Sequence, residues 1–334
     1  MTIILENTNE PVETGDLIRR RVLFAAKLVV AAGLLSWLFT SGRLDFSVLA
    51  RAESYVLLAI AGLVTLASML VLVWRWVWLI RIQGLSIPTW TAMRFTWFGF
   101  FANMFLPGAA GGDLAKAYAA CKHQPDAKTR AVSTVFMDRI IGLHSLLFIG
   151  LLAGLCILSS GCSSRQAGVV WLAILCFAIA SAGLFLLLWR ASGGLVLRVL
   201  PGRFRSTLSD SLGLYRQSWR KLLAIWLYSG FCNALAIAAY VLVAAALGTQ
   251  ATFSLVLAIP LVILAMSLPI SPGGLGVGEV VGSELFAEFG LSNGGLVVLV
   301  VRLSIIALAT PGALTIFGSS SLSRPVEGKC TRKT

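Results

Sequence analysis

The sequence predicts an all-α polytopic membrane protein: six spanning helices plus two oppositely oriented re-entrant hairpins, arranged as an inverted repeat. Three observations carry that expectation. Of the 334 residues, 58% are hydrophobic and only 12% charged, with a mean hydropathy of +0.89, whereas a soluble domain carries about a quarter charged residues. Several apolar runs reach the roughly 20 residues that a helix needs to cross a bilayer, and nothing resembles the short alternating segments of a membrane β-barrel. Two further segments break at proline, clustered glycines and an acid: "LPGAAGGD" at 106–113 and "LPISPGGLGVGE" at 268–279.

Taken in order, residues 1–21 form a polar N-terminal tail without the basic, apolar and small order of a cleaved signal. Continuous spans are expected over 22–40, 54–74, 131–158, 167–189, 222–247 and 294–317. The broken segments are 87–120 and 252–290. Basic residues orient them. Arg19 to Arg21, Arg75 and Arg81, Lys122, Lys128 and Arg130, the arginine-rich linker 190–221, and the tail with Arg324, Lys329, Arg332 and Lys333 fall on one side, read as cytoplasmic. That holds only if 87–120 turns back near Pro107 and 252–290 turns back from the opposite face. Arg43, Arg51 and Arg165 stay outside. The expected layout is one transmembrane domain, 22–318, with repeat halves 54–158 and 222–317, the basic cytoplasmic linker between them, and a tail over 319–334. Both termini lie in the cytoplasm of a bacterial cell, around its inner membrane.

The net charge of +13 is therefore a topology signal and a match to anionic lipid, not a sign of nucleic-acid binding. The linker mixes Leu and Val with its arginines, which suits the membrane surface or a plain anchoring loop. Six cysteines are present. None forms a CxxC pair. Cys156 and Cys162 flank a short outside loop where a disulfide is conceivable, while Cys176 and Cys232 are packing residues. His144 lies six residues beyond Asp138, so the two do not share a helix face, and no metal site emerges. Trp74, Trp76 and Trp78 read as interface anchors.

The spacing of the two halves agrees. From Gly108 to Arg139 is 31 residues and from Gly273 to Arg302 is 29; the same glycines precede Asp113 by 5 and Glu279 by 6. Inverted repeats of this kind build binding sites from helices broken at mid-membrane. A helix that stops in hydrocarbon leaves backbone groups unpaired, tolerable only inside protein or beside water. Pro107, Pro269 and Pro272 end the first arms, and Gly111, Gly112, Gly273, Gly274 and Gly276 allow close turning. Asp113 and Glu279 then stand at the next helix starts, where an acid caps free N–H groups. Those starts favour an anion such as a lipid phosphate, although glycine also serves plain helix packing. Asp138, Arg139 and Arg302 lie about two turns into spans, a costly depth for a charge; the arginines either neutralise Asp113 and Glu279 or bind phosphate oxygens. Arg94 and Lys116 read as snorkelling, Glu284 and Glu288 as solvated, and Asn103 and Asn233 as cavity lining or interhelical glue.

At these residues the chain resembles the flippase-like transmembrane family related to the N-terminal membrane region of bacterial lysylphosphatidylglycerol synthases. The resemblance spans about residues 20–318 and is carried by "FFANMFLPGAAGGDLAKAYAA", "AVSTVFMDRIIGL", "LPISPGGLGVGE" and "VRLSIIA". Asp113, Asp138, Arg139, Pro272, Gly273, Gly274, Gly276, Glu279 and Arg302 match positions characteristic of that family. The resemblance implies lipid translocation. The chain ends without a soluble aminoacyl-transferase domain, so lysine transfer is not implied.

The expected function is transbilayer movement of a phospholipid or lipid-linked intermediate with a charged headgroup, anionic or zwitterionic or prenyl-linked. No cofactor is expected, and without a P-loop the drive is a gradient or none. The alternative is an embedded enzyme acting on a lipid headgroup, using Asp113, Asp138 or Glu279 as acid or base. A third reading is a non-transporting partner of a separate lipid-modifying enzyme. The chain would then have no activity of its own.

Overall fold

The computed structural model describes residues 55–104, 106, 110–189, 202–249, 253–268, 270–291 and 293–312, with isolated helical positions at 29, 32–33, 36–37 and 40. The span expected over 22–40, the two tails, the start of the linker, Pro107, Gly108 and Pro269 lie outside the described residues or almost so. Ten α helices are described: α1 (Tyr55–Ile82), α2 (Thr89–Ala102), α3 (Ala110–His123), α4 (Lys128–Ser159), α5 (Ser164–Trp189), α6 (Gly202–Gln217), α7 (Trp219–Ala246), α8 (Phe253–Met266), α9 (Val277–Glu288) and α10 (Gly294–Ala309). Among the described residues, four regions are long and apolar enough to cross a membrane: α1, the stretch from Pro125 to the end of α4, α5 and α7. They are apolar around most of their circumference, as helices facing lipid on one side and protein on the other must be.

α1 and α7 form the most extensive helix contact and run antiparallel, Arg75 meeting Ser229 while Ala61 shares a cluster with Tyr240 and Val243. Around this seam the remaining helices divide. Met69, Trp76, Phe95, Ala120 and Val135 centre an apolar cluster built by α1 to α4. A second, built mainly by α7 to α10, holds Leu255, Ile259, Phe286 and Val298. Each broken segment is two short helices packed on one another, α2 on α3 and α8 on α9. In the first, Phe95 stacks near His123 at 5.9 Å and Gln124 donates to the Ser86 carbonyl at 3.3 Å, so the segment's two ends meet. At the far end of the molecule, Arg165 at the start of α5 pairs with Glu288 at the end of α9 at 3.8 Å.

Three local expectations are corrected. The span expected over 54–74 does not stop at residue 74: α1 continues to Ile82, and Arg75 is buried inside it rather than placed in a loop. Its charge is neutralised by neighbours, so it does not terminate the helix. Trp76 is not an interface anchor but fully buried, its indole N–H donating to Thr134 Oγ1 at 3.0 Å. Part of the linker is helical: α6 seals one end of the bundle with Leu212 and Tyr215, and Gln83 donates to the Ser211 carbonyl at 2.9 Å. Cys156 and Cys162 are free thiols.

Candidate functional site

Asp138, about three turns into α4, holds two cations. Arg75 Nε stands 2.7 Å from one carboxylate oxygen and Lys116 Nζ 3.3 Å from the other. All three side chains are nearly inaccessible. Arg75 also donates to Ser229 Oγ at 2.9 Å, and Lys116 lies 3.9 Å from the Trp76 ring centre, a cation–π contact made stronger by burial. Gly142 gives the Arg75 guanidinium its room, since a Cβ there would approach it to 2.8 Å.

One residue on, Arg139 behaves differently. Its Nε is 3.7 Å from Asp113 Oδ2, and both side chains stay about one-third exposed. That oxygen of Asp113 has no hydrogen bond among the described residues. Nor does Asp113 lie ahead of α3 as a cap: it falls within the first turn, and Asn103 instead accepts from the Gly112 N–H at 3.3 Å. The arms of this break come so close that a Cβ on Gly112 would overlap the Gly99 carbonyl oxygen.

In the second break the corresponding charges are locked. Arg302 pairs with Glu279 at 2.9 Å and donates to the carbonyls of Gly273 at 2.8 Å and Gly274 at 3.0 Å. Glu279 is fully buried and accepts from the Gly276 N–H at 2.8 Å. Gly274 has φ +73 and Gly276 φ +80, left-handed values that glycine tolerates best. Arg302 is thus a clasp on its own turn.

The two breaks touch each other. The Gly273 N–H donates to the Leu106 carbonyl at 3.2 Å, and Arg139 donates to Ser267 Oγ at 2.7 Å across the same junction. A cavity of about 100 Å³ opens here, lined by Arg75, Asn103, Asp113, Lys116, Asp138 and Arg139 among others. A second, of about 110 Å³, lies against Tyr240, Met266, Gly273 and Arg302 and shares Phe100 and Asn103 with the first. The first cavity sets three cations, Arg75, Lys116 and Arg139, against two carboxylates, Asp113 and Asp138. One positive charge is left over. In a low-dielectric setting an uncompensated charge attracts a counter-ion far more strongly than in water, so the cavity is suited to an anionic group.

Apolar helices that bury a cationic cavity at paired breaks coincide with a family match over most of the chain. A family model described as the lysylphosphatidylglycerol synthase TM region matches residues 24–314. The chain belongs to this family. The family is described by the membrane region of a lipid-modifying synthase, which places the chain among membrane proteins concerned with lipids. No curated protein and no solved structure matches it.

Of the residues singled out from sequence, Asn103, Gly112, Asp113, Asp138 and Arg139 line the first cavity, and Gly273 and Arg302 the second. Gly111 packs against Leu106, Gly274 against Met266, while Gly276 and Glu279 close the start of α9. Asn233 is glue, donating to the Gly142 carbonyl at 3.0 Å. Lys116 is not a snorkelling residue, because its ammonium is held inward by Asp138. The sequence reading missed Lys116, Arg75 and Ser267. Lys116 had a signal: it lies three residues beyond Asp113, on the same face of α3. Among the described residues no group of His, Cys, Asp and Glu is arranged to hold a metal; His144 instead accepts from Trp226 at 2.9 Å and contacts Ser181 at 3.0 Å.

Proposed function

We propose that this protein moves a phospholipid or lipid-linked intermediate across the bacterial inner membrane, its charged headgroup passing through the cavity where the two breaks meet. The surplus cation of the Arg75, Lys116 and Arg139 set is the observation that carries the reading. A phosphodiester entering there would gain charge-assisted hydrogen bonds from Arg139 and Lys116 while its chains stayed in lipid. Asp113 is the group that must yield: its loose pairing leaves Arg139 free to exchange one anion for another.

The helix packing supports an inverted repeat of two units, α1 to α4 and α7 to α10; the placement of both termini in the cytoplasm rests on the basic residues of the sequence. Exchange of the units carries the principal contacts onto one another: α2–α3 onto α8–α9, α3–α4 onto α9–α10, α4–α8 onto α2–α10, and α4–α7 onto α1–α10. The α1–α7 contact maps onto itself. Such a twofold relation between antiparallel units is the architecture on which many alternating-access transporters are built. The meeting of Gln124 with Ser86 favours a first hairpin that enters and leaves by one face. Its partner in the second unit would then enter from the other.

An enzymatic reading needs a free acid or base. Asp138 and Glu279 are each held by buried cations, which leaves Asp113 alone for that role. The deciding experiment is reconstitution in liposomes with a panel of anionic, zwitterionic and prenyl-phosphate lipids, scoring transbilayer movement and chemical conversion side by side. Movement without conversion is expected; conversion without movement would turn the reading to an enzyme, and neither would turn it to a partner of one.

A further inference from the structure

A separate crevice lies where the last turn of α1 passes the first turns of α7. Trp78, Ile82, Ala224 and Ile225 form its apolar wall, and Arg81 and Lys221 its polar rim. Its volume is about 330 Å³, three times that of the charged cavity, with which it shares no lining residue. Trp78 is fixed in place by Tyr228, ring centres 4.6 Å apart, so the crevice is a standing feature of the α1–α7 seam. Arg81 and Lys221 are both exposed, two like charges lining one crevice. Nothing in the transport reading uses either of them.

We propose that this crevice holds one molecule of anionic phospholipid as a retained lipid: an acyl chain against Trp78, Ile82 and Ile225, and the phosphodiester between Arg81 and Lys221. The charge complementarity decides the occupant. Two cations on the rim of one apolar slot attract an anion, and an anion with a hydrocarbon tail satisfies both parts at once. A zwitterionic lipid would bring its own cation to the same rim. A second protein helix would fill the slot but leave the rim unneutralised. Because α1 and α7 belong to different units, the lipid would brace the seam between them.

The test uses the full chain in detergent, titrated with phosphatidylglycerol brominated in its acyl chains, which quenches nearby indoles. The quenching lost on Trp78→Phe isolates the crevice from the other tryptophans. Saturable quenching of Trp78 is expected, weakened roughly ten- to thirty-fold in Arg81→Gln/Lys221→Gln, in keeping with the effect of two basic residues near an anionic surface. Asp113→Asn, which alters only the charged cavity, should leave the titration unchanged. Brominated phosphatidylcholine should bind far more weakly, and soluble glycerol phosphate should not compete. The proposal is overturned by equal binding of the two lipids, by parental affinity in the double variant, by competition from glycerol phosphate, or by loss of the signal in Asp113→Asn.

Discussion

Asp138 is the shared counter-ion of two buried cations, and the consequence of removing it follows from their burial. Asp138→Asn leaves Arg75 and Lys116 facing each other without a counter-charge, a change that typically costs about 3–5 kcal/mol. Arg139→Gln breaks a longer, part-exposed pair, where about 1 kcal/mol or less is at stake. Thermal unfolding in detergent should therefore show a large loss for the first and a small one for the second. Equal losses would mean that the two neighbouring residues are held alike, against the geometry. Anionic-lipid binding should rank the other way among the folded proteins, with Arg139→Gln impaired although well folded. Asp138, Arg139 and Arg302 were legible in the sequence because a charge deep in an apolar run demands a partner. Arg75 and Lys116 were not, because a charge near the expected end of a helix has a cheaper solution at the membrane surface. Only the tertiary partner, Asp138 on another helix, shows that they turn inward.

At the scale of the elements, the two breaks were readable from proline and glycine alone, and both appear as paired short helices. Their inner workings differ in a way the sequence conceals. The first is capped from across the gap by Asn103, whereas the second is clasped by Arg302 on the carbonyls of Gly273 and Gly274. A capping role for Asp113 looked natural because an acid after glycines usually precedes a helix; here α3 starts three residues earlier. Gly274→Ala should be destabilising by about 1–2 kcal/mol from its left-handed backbone alone, and more from contact with the Met266 carbonyl at 2.7 Å. Gly213→Ala, in the middle of α6 with nothing within 4 Å of the added carbon, should be neutral or stabilising by up to about 1 kcal/mol. Melting temperatures of the two variants check this directly, and the reverse order would contradict the clasp.

For the whole molecule, the topology rests on basic residues in the sequence and on end-to-end contacts in the fold. The contacts bring Gln83 to α6 and Ser86 to Gln124 at one end, and Arg165 to the end of α9 at the other; the basic residues are what assign the first end to the cytoplasm. Native thiols report on it. In single-cysteine variants, Cys162 should react with an impermeant maleimide on intact cells, and Cys121 only after permeabilisation. Labelling of both from outside would break the inverted repeat. The length of α1 was less legible, since Arg75 looks like the end of a span until its partners are known. The central claim is that the junction of the breaks passes a charged headgroup, and it is tested most directly by lipid movement per folded molecule in liposomes. Fluorescent anionic phospholipid placed in one leaflet should equilibrate faster with the parent protein than in protein-free vesicles, and Asp113→Asn and Arg139→Gln should lose most of that acceleration while remaining folded. Parental rates in both variants, or no acceleration by the parent with any lipid of the panel, would contradict it.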